Sequence, residues 1–263
     1  MEAYHRTFRL GVDDHCAPSG YGTKAKGSAE LLTVPFPFIE IIFTIGPTVF
    51  ESTGYHRVFS TAVGGIQTQP IRTQLQTDYR AFGVFLHPVE FFEATGLGAA
   101  DLHDPVQMGR ILNPLISVLE SGGAEDPESF THRIQDAWKR YQKKRSCYRV
   151  ITQFLDQAHA LPRYRLREAA GAISFTGKHL RTTFRAVLGI TPKQYLQLLQ
   201  LQGVLSDMVN SGGYSLTDIA LRNGFYDQSH FNRIFKRYAG IPPRRFRGQY
   251  SRYAEKYKNT IVL

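Results

Sequence analysis

The chain has 263 residues, with 32 Lys and Arg against 22 Asp and Glu, a formal net charge of +10 and 42% hydrophobic residues. That balance excludes a disordered chain, and at roughly 100–200 residues per domain the length suggests about two domains. No run of ~18 apolar residues is present, the N-terminal MEAYHRTFRL lacks a signal-peptide core, and Cys16 and Cys147 alone make neither a disulfide scaffold nor a zinc cluster. The expectation is a cytoplasmic protein with no membrane partner.

Residues 1–87 are rich in β-branched and aromatic residues and punctuated by turns such as Pro18-Ser19-Gly20 and Gly64-Gly65. Strands are predicted at Glu30–Val34, Phe38–Thr44, His56–Gly64 and Tyr79–His87. Pro88 opens a predicted helix, PVEFFEAT, as a proline in a first turn should. Further helices are predicted at Asn113–Glu120, Pro127–Lys144 and Tyr148–Ala160. The basic run Lys139–Arg145 reads first as a helix C-terminus complementing its dipole, and second as a phosphate contact.

The charge is unevenly placed. Residues 1–145 carry 14 basic and 16 acidic side chains, a net of −2, and residues 146–263 carry 18 and 6, a net of +12. Such asymmetry points to a polyanionic partner for the second part, or to no more than a solubilising surface. A division at 145/146 follows, with a β-rich first domain and an all-helical second one.

The basic part contains a repeat. Phe184, Gly189, Ile190, Pro192 and Tyr195 recur 51 residues later as Phe235, Gly240, Ile241, Pro243 and Phe246, with Leu180 matched by Phe231. Upstream the offset reads as 50, pairing Ala170 with Ala220 and Ser174 with Gly224. A duplicated supersecondary unit is the physical meaning of such a repeat. Each copy has helix-turn-helix layout, over about residues 161–189 and 212–240.

In the second copy Ser215 caps a short helix, Ala220 allows a close crossing and Gly224 supplies a left-handed turn residue. The Asp227-Gln228-Ser229 segment then opens a helix whose Phe231, Ile234 and Phe235 face inward. In the first copy Ala170 stands at the crossing, Thr176 caps, and Leu180, Thr183, Phe184 and Val187 face inward. A helix over Lys193–Val209 joins the copies; its 17 residues span roughly 25 Å, the scale on which two helices lie one DNA turn apart (~34 Å).

The outward positions of the second helices are Lys178, Arg181, Thr182 and Arg185 in one copy, and Gln228, Ser229, Asn232, Arg233 and Lys236 in the other. A helix fits the major groove of duplex DNA, where Arg pairs bidentately with guanine and Asn or Gln with adenine. RNA is disfavoured because its major groove is too narrow for a helix and this half offers no obvious stacking platform. A merely solvated helix face is the plain alternative for any one of these residues.

The stretch GYSLTDIALRNGFYDQSHFNRIFKRYAGIPPRRFR resembles the signature of the AraC/XylS family of transcription regulators, with Ile219, Ala220, Gly224, Phe225, Ser229, Phe231, Phe235, Lys236, Gly240, Pro243 and Phe246 carrying the likeness. The similarity covers about residues 150–250. It implies two helix-turn-helix units on one face of duplex DNA, with base contacts from Lys178, Arg181, Thr182, Gln228, Asn232 and Arg233. Phosphate contacts are assigned to Arg185, Ser229, Lys236, Arg244 and Arg245. Departures are Gln200 where arginine is usual, Val204 where alanine is usual and Ser174 where glycine is common. The first 145 residues more faintly resemble a sensor domain of the same family, through the central EIIF strand, FGVFLHP and Leu102-His103-Asp104-Pro105-Val106. That likeness implies an α+β chain with a small cupin-like barrel and trailing helices that bind a small-molecule effector or form a homodimer. RNA polymerase is a further partner for such a regulator.

No catalytic constellation or cofactor motif stands out, so the chain reads as a non-enzyme without metal or cofactor. Gly171–His179 has five residues between its glycines where a phosphate loop needs four, and it falls inside the first unit. Cys16 as a repair-type acceptor on an enzymatic N-terminal domain is the alternative reading. Glu90 and Glu93 read as a solvated helix face, and Phe36, Phe38, Phe43, Phe59, Phe82 and Phe85 as strand core that could also line a ligand cavity.

Overall fold

The β-branched and aromatic residues near the N-terminus pair into two antiparallel sheets. A computed structural model describes residues 8–9, 19–25, 29–44, 50–52, 55–58, 61–75, 79–98, 101–103, 149–160, 166–210, 213–250 and 260–262. The strands are β1 (Phe8–Arg9), β2 (Ser19–Ala25), β3 (Ala29–Thr33), β4 (Ile39–Thr44), β5 (Phe50–Ser52), β6 (Tyr55–Val58), β7 (Thr61–Gly64), β8 (Ile71–Leu75), β9 (Tyr79–Leu86) and β10 (Thr260–Val262). One sheet runs β1-β2-β9-β4-β7-β6 and the other β10-β3-β8-β5. The expected barrel is thus represented, among the described residues, by two separate sheets without a closing ladder.

The single strand expected at His56–Gly64 is two. β6 and β7 pair antiparallel, with Val58 opposite Thr61 and Tyr55 opposite Gly64. A continuous run of β-formers hid the reversal, because nothing in it announces a turn. The central strand β4 is buried on both faces at Ile39, Glu40, Ile41 and Ile42, which fits its place between β9 and β7. Phe36 packs edge-on against Phe85 at 4.8 Å, as a core pair. The side chains of Phe43 and Phe82, the whole of Phe59, Cys16 and Cys147, and the helices and basic run expected between 104 and 148 lie outside the described residues.

After β9, helix α1 (Pro88–Thr95) forms as expected, with proline in its first turn and Gly96 in the left-handed region (φ 75°) closing it. Val89 and Phe91 are buried, while Glu90 is half-buried next to Glu93. Burial, reinforced by the Glu93 charge, pushes the Glu90 carboxyl up to about 7. The folded protein therefore keeps this proton up to near neutrality, whereas the unfolded chain releases it near 4.5. The native state binds more protons in that window, so stability falls as pH rises through it. Discounted for partial exposure, the loss is about 1–2 kcal/mol. Glu90→Gln should flatten the profile, as read by urea unfolding at a series of pH values; an equally steep fall in the variant would refute the assignment.

The remaining elements are helical: α2 (Arg149–Ala160), α3 (Leu166–Gly171), α4 (Gly177–Leu188), α5 (Pro192–Asn210), α6 (Leu216–Arg222), α7 (Gln228–Ala239) and α8 (Pro243–Tyr250). Their inward faces form one core with Leu32, Val34 and Val89 from the β-rich part. Polar contact joins the halves too, since Gln202 Nε2 on α5 donates to the Pro35 carbonyl at 3.2 Å. Gly98 sits so close to the Ala186 carbonyl on α4 that a side chain there has no room. The C-terminal β10 also crosses back, pairing with β3 through Ile261 opposite Leu32.

Candidate nucleic-acid interface

Capping fixes where each recognition helix starts and stops. Thr176 and Asp227 stand at equivalent N-caps, and each side chain accepts a hydrogen bond from the backbone N–H three residues on, at His179 and His230. Gly189 and Gly240 close α4 and α7 in the left-handed region, at φ 71° and 75°. In the second unit Ser215 and Asp218 form a reciprocal capping box on α6. The turn glycine Gly224 has φ 80°, as its role requires.

The repeat is physical as well as textual. Phe184 packs edge-on against Tyr195 at 6.0 Å, and its counterpart Phe235 against Phe246 at 5.3 Å. Both phenylalanines are fully buried. One assignment needs correction. The alanine buried completely at the first crossing is Ala169, with Ala170 only partly buried, and the counterpart is the fully buried Ala220. The offset there is 51, like the rest of the repeat. Phe175 nonetheless meets the His179 ring at 5.5 Å as Phe225 meets His230 at 5.7 Å. The first turn therefore has one residue more between alanine and phenylalanine and one fewer between phenylalanine and cap, and the two shifts cancel.

Between the units α5 is longer than expected, at 19 residues, or roughly 28 Å at ~1.5 Å each. It carries contacts the sequence reading missed. Tyr238 on α7 donates its hydroxyl to Gln197 Oε1 on α5 at 3.0 Å, in a buried site. Asn223 Nδ2 donates to Asp207 Oδ2 at 2.8 Å, binding the second turn to α5. Gly203 is the residue that admits Asn223, because a methyl group there would overlap its side-chain oxygen. A glycine in mid-helix was the available signal. Gln200, the departure from the family pattern, is buried and donates to the Gly224 carbonyl at 3.4 Å, so it supports the turn.

The outward positions are where the periodicity expects them. Lys178, Arg181, Thr182 and Arg185 on α4 are all exposed, and so are Gln228, Ser229, Asn232, Arg233 and Lys236 on α7. Arg244 and Arg245 are exposed on α8, just past the second unit. Arg185 and Arg233 are brought together across a cleft of about 520 Å3 between the units, joined there by Lys193 and Arg237, which were not singled out. No carboxylate lines that cleft. Among the described residues no group of His, Cys, Asp and Glu is arranged to hold a metal ion, and no helix is long and apolar enough to cross a membrane.

Comparison with known proteins bears on the same segment. A helix-turn-helix domain family matches residues 169–249. The HTH-type transcriptional activator RhaS of Klebsiella pneumoniae (strain 342) is 32% identical over 80 residues, which is 30% of this chain. The match spans only 28% of that relative's own length. In fold, the chain is similar to ToxT from Vibrio cholerae in a crystal structure with TM-score 0.50 and 10% identity, covering 88% of this chain and 98% of that one. A second ToxT structure, bound to (E)-4-(8-methylnaphthalen-1-yl)but-3-enoic acid, gives the same score and coverage at 12% identity. At such identities the likeness is one of fold alone. The motif, the paired units and the two sequence matches agree that residues 169–249 form a helix-turn-helix domain of the AraC type.

Proposed function

We propose that the chain is a transcription regulator of the AraC/XylS type that binds duplex DNA through α4 and α7 and responds to a small molecule through its β-rich part. The observation that carries this reading is the duplicated frame. Two helices with matched caps and matched aromatic locks each leave a row of polar and cationic side chains to solvent. Base contacts fall to Lys178, Arg181, Thr182, Gln228, Asn232 and Arg233, and phosphate contacts to Arg185, Ser229, Lys236, Arg244 and Arg245. The working division is a sensing or dimerising domain over 1–145, of cupin-like type, and a DNA-binding domain over 146–263. Support for a small-molecule effector comes from the fold relative solved with a bound organic acid. An effector acts only by preferring one arrangement of the two parts, and the shared core and the Gln202–Pro35 bond are contacts through which such a preference would pass.

The test is selection of genomic fragments by the purified full chain at moderate salt, followed by sequencing. A small set of fragments enriched over random competitor is the expected result. Retention without sequence preference would overturn the reading.

A further inference from the structure

The cleft between the two units unites cations from parts of the chain far apart in sequence. Arg185 comes from the last turn of α4, Lys193 from the first turn of α5, and Arg233 and Arg237 from successive turns of α7. All four are exposed, no carboxylate lines the cleft, and among the described residues none of them has an ion-pair partner. The rest of the wall is Thr191, Gln194, Gln197, His230 and Ile234, with no acidic group among them. Like charges held around one concavity repel each other, and a bound anion relieves that repulsion. The frame is firm: Tyr238 bonds Gln197 beneath it, and Gln194 Oε1 caps the α5 terminus by accepting from the Thr191 N–H at 2.9 Å.

We infer that this cleft seats the phosphodiester backbone of the DNA strand that crosses between the two grooves, with Lys193 and Arg237 as phosphate-holding residues. The inference rests on the DNA-binding reading above and deepens it. Two helices in successive major grooves straddle a stretch of backbone, and the space between them must accommodate its charge. The cations come from both units, so one seated strand ties α4, α5 and α7 together. Affinity then depends on the spacing of the two half-sites as well as on their bases. A phosphate here carries no sequence information, so these contacts act alike on every duplex.

The experiment compares full-length wild type, Lys193→Gln, Arg237→Gln and the double variant on a selected fragment and on random duplex across a salt series. Arg149→Gln, which removes an exposed cation outside the cleft, is the control. Each lost phosphate contact should reduce the slope of log affinity against log salt by about 0.9. For the double variant, the drop in affinity between about 50 and 200 mM salt should be roughly tenfold smaller than for wild type, equally on both duplexes. Arg237→Lys, which keeps the charge, should restore the wild-type slope, which also separates charge loss from misfolding. If wild type prefers the selected fragment and the double variant keeps its slope, the cleft assignment is wrong while the DNA reading stands. If wild type shows no preference, the DNA reading itself fails. Inorganic pyrophosphate at matched ionic strength is the other arm. Displacement of DNA from wild type but not from the double variant supports the seat. Pyrophosphate that binds wild type through Lys193 and Arg237 while DNA stays bound marks a seat for a free phosphate compound, and the inference fails.

Discussion

Phe235→Ala is expected to destabilise the protein by about 3–5 kcal/mol, the range for emptying a fully buried aromatic site. Phe235 has no exposed surface and stands at the centre of the second unit. Its ring meets Phe231 at 5.6 Å and Phe246 at 5.3 Å, both edge-on. Truncation leaves a void among α7, α8 and the neighbouring helices, which the surrounding structure relaxes to fill only in part. A typical domain has only about 5–15 kcal/mol to lose, so a large share of its stability goes. Urea unfolding should show a lower midpoint with an unchanged slope, and DNA affinity should fall through the unfolded fraction. Phe235→Leu, which keeps most of the volume, should lose far less. An alanine variant within about 0.5 kcal/mol of wild type (the scatter of ordinary surface substitutions) would mean the second unit is not built around this ring.

The helical part was legible because its signals are local and redundant. Thr176, Ser215 and Asp227 announce helix starts, and Gly189 and Gly240 announce ends through a conformation that other residues adopt only at a cost. The spacing of Leu180, Phe184 and Val187 then identifies the buried face. Departures came where pairing is non-local. β5 and β10 are three residues each, and β10 has meaning only through its partner β3, more than 200 residues away in sequence. Ala169 and Ala170 are interchangeable in composition, and only the path of the turn decides which is buried. The cleft was invisible for the same reason, because Lys193 and Arg237 look like ordinary surface cations until the units are folded against each other. Glu90 and Glu93 read as a solvated face, yet packing of α1 against the core half-buries Glu90.

Arg233→Ala should weaken binding to a selected DNA fragment by about 1–3 kcal/mol, roughly five- to 150-fold, and relax preference at one base-pair position. Arg233 is exposed on α7 beside Asn232, one turn before Arg237, so it belongs both to the outward row and to the rim of the cleft. These two settings make different predictions. A guanidinium paired with a guanine edge uses two donors in a fixed fork, which an ammonium cannot reproduce. Arg233→Lys should then recover little, and the loss should concentrate on fragments that keep the cognate base. A guanidinium that only neutralises a phosphate would behave otherwise, with uniform loss on all duplexes, a shallower salt dependence and good rescue by lysine. Binding measured against a library of single-base changes, for wild type and both variants, separates the two. Base-specific loss without lysine rescue makes α7 a reader of sequence. Uniform loss with rescue moves Arg233 to the phosphate-holding group and leaves base readout on α7 to Gln228 and Asn232, where adenine is the expected target.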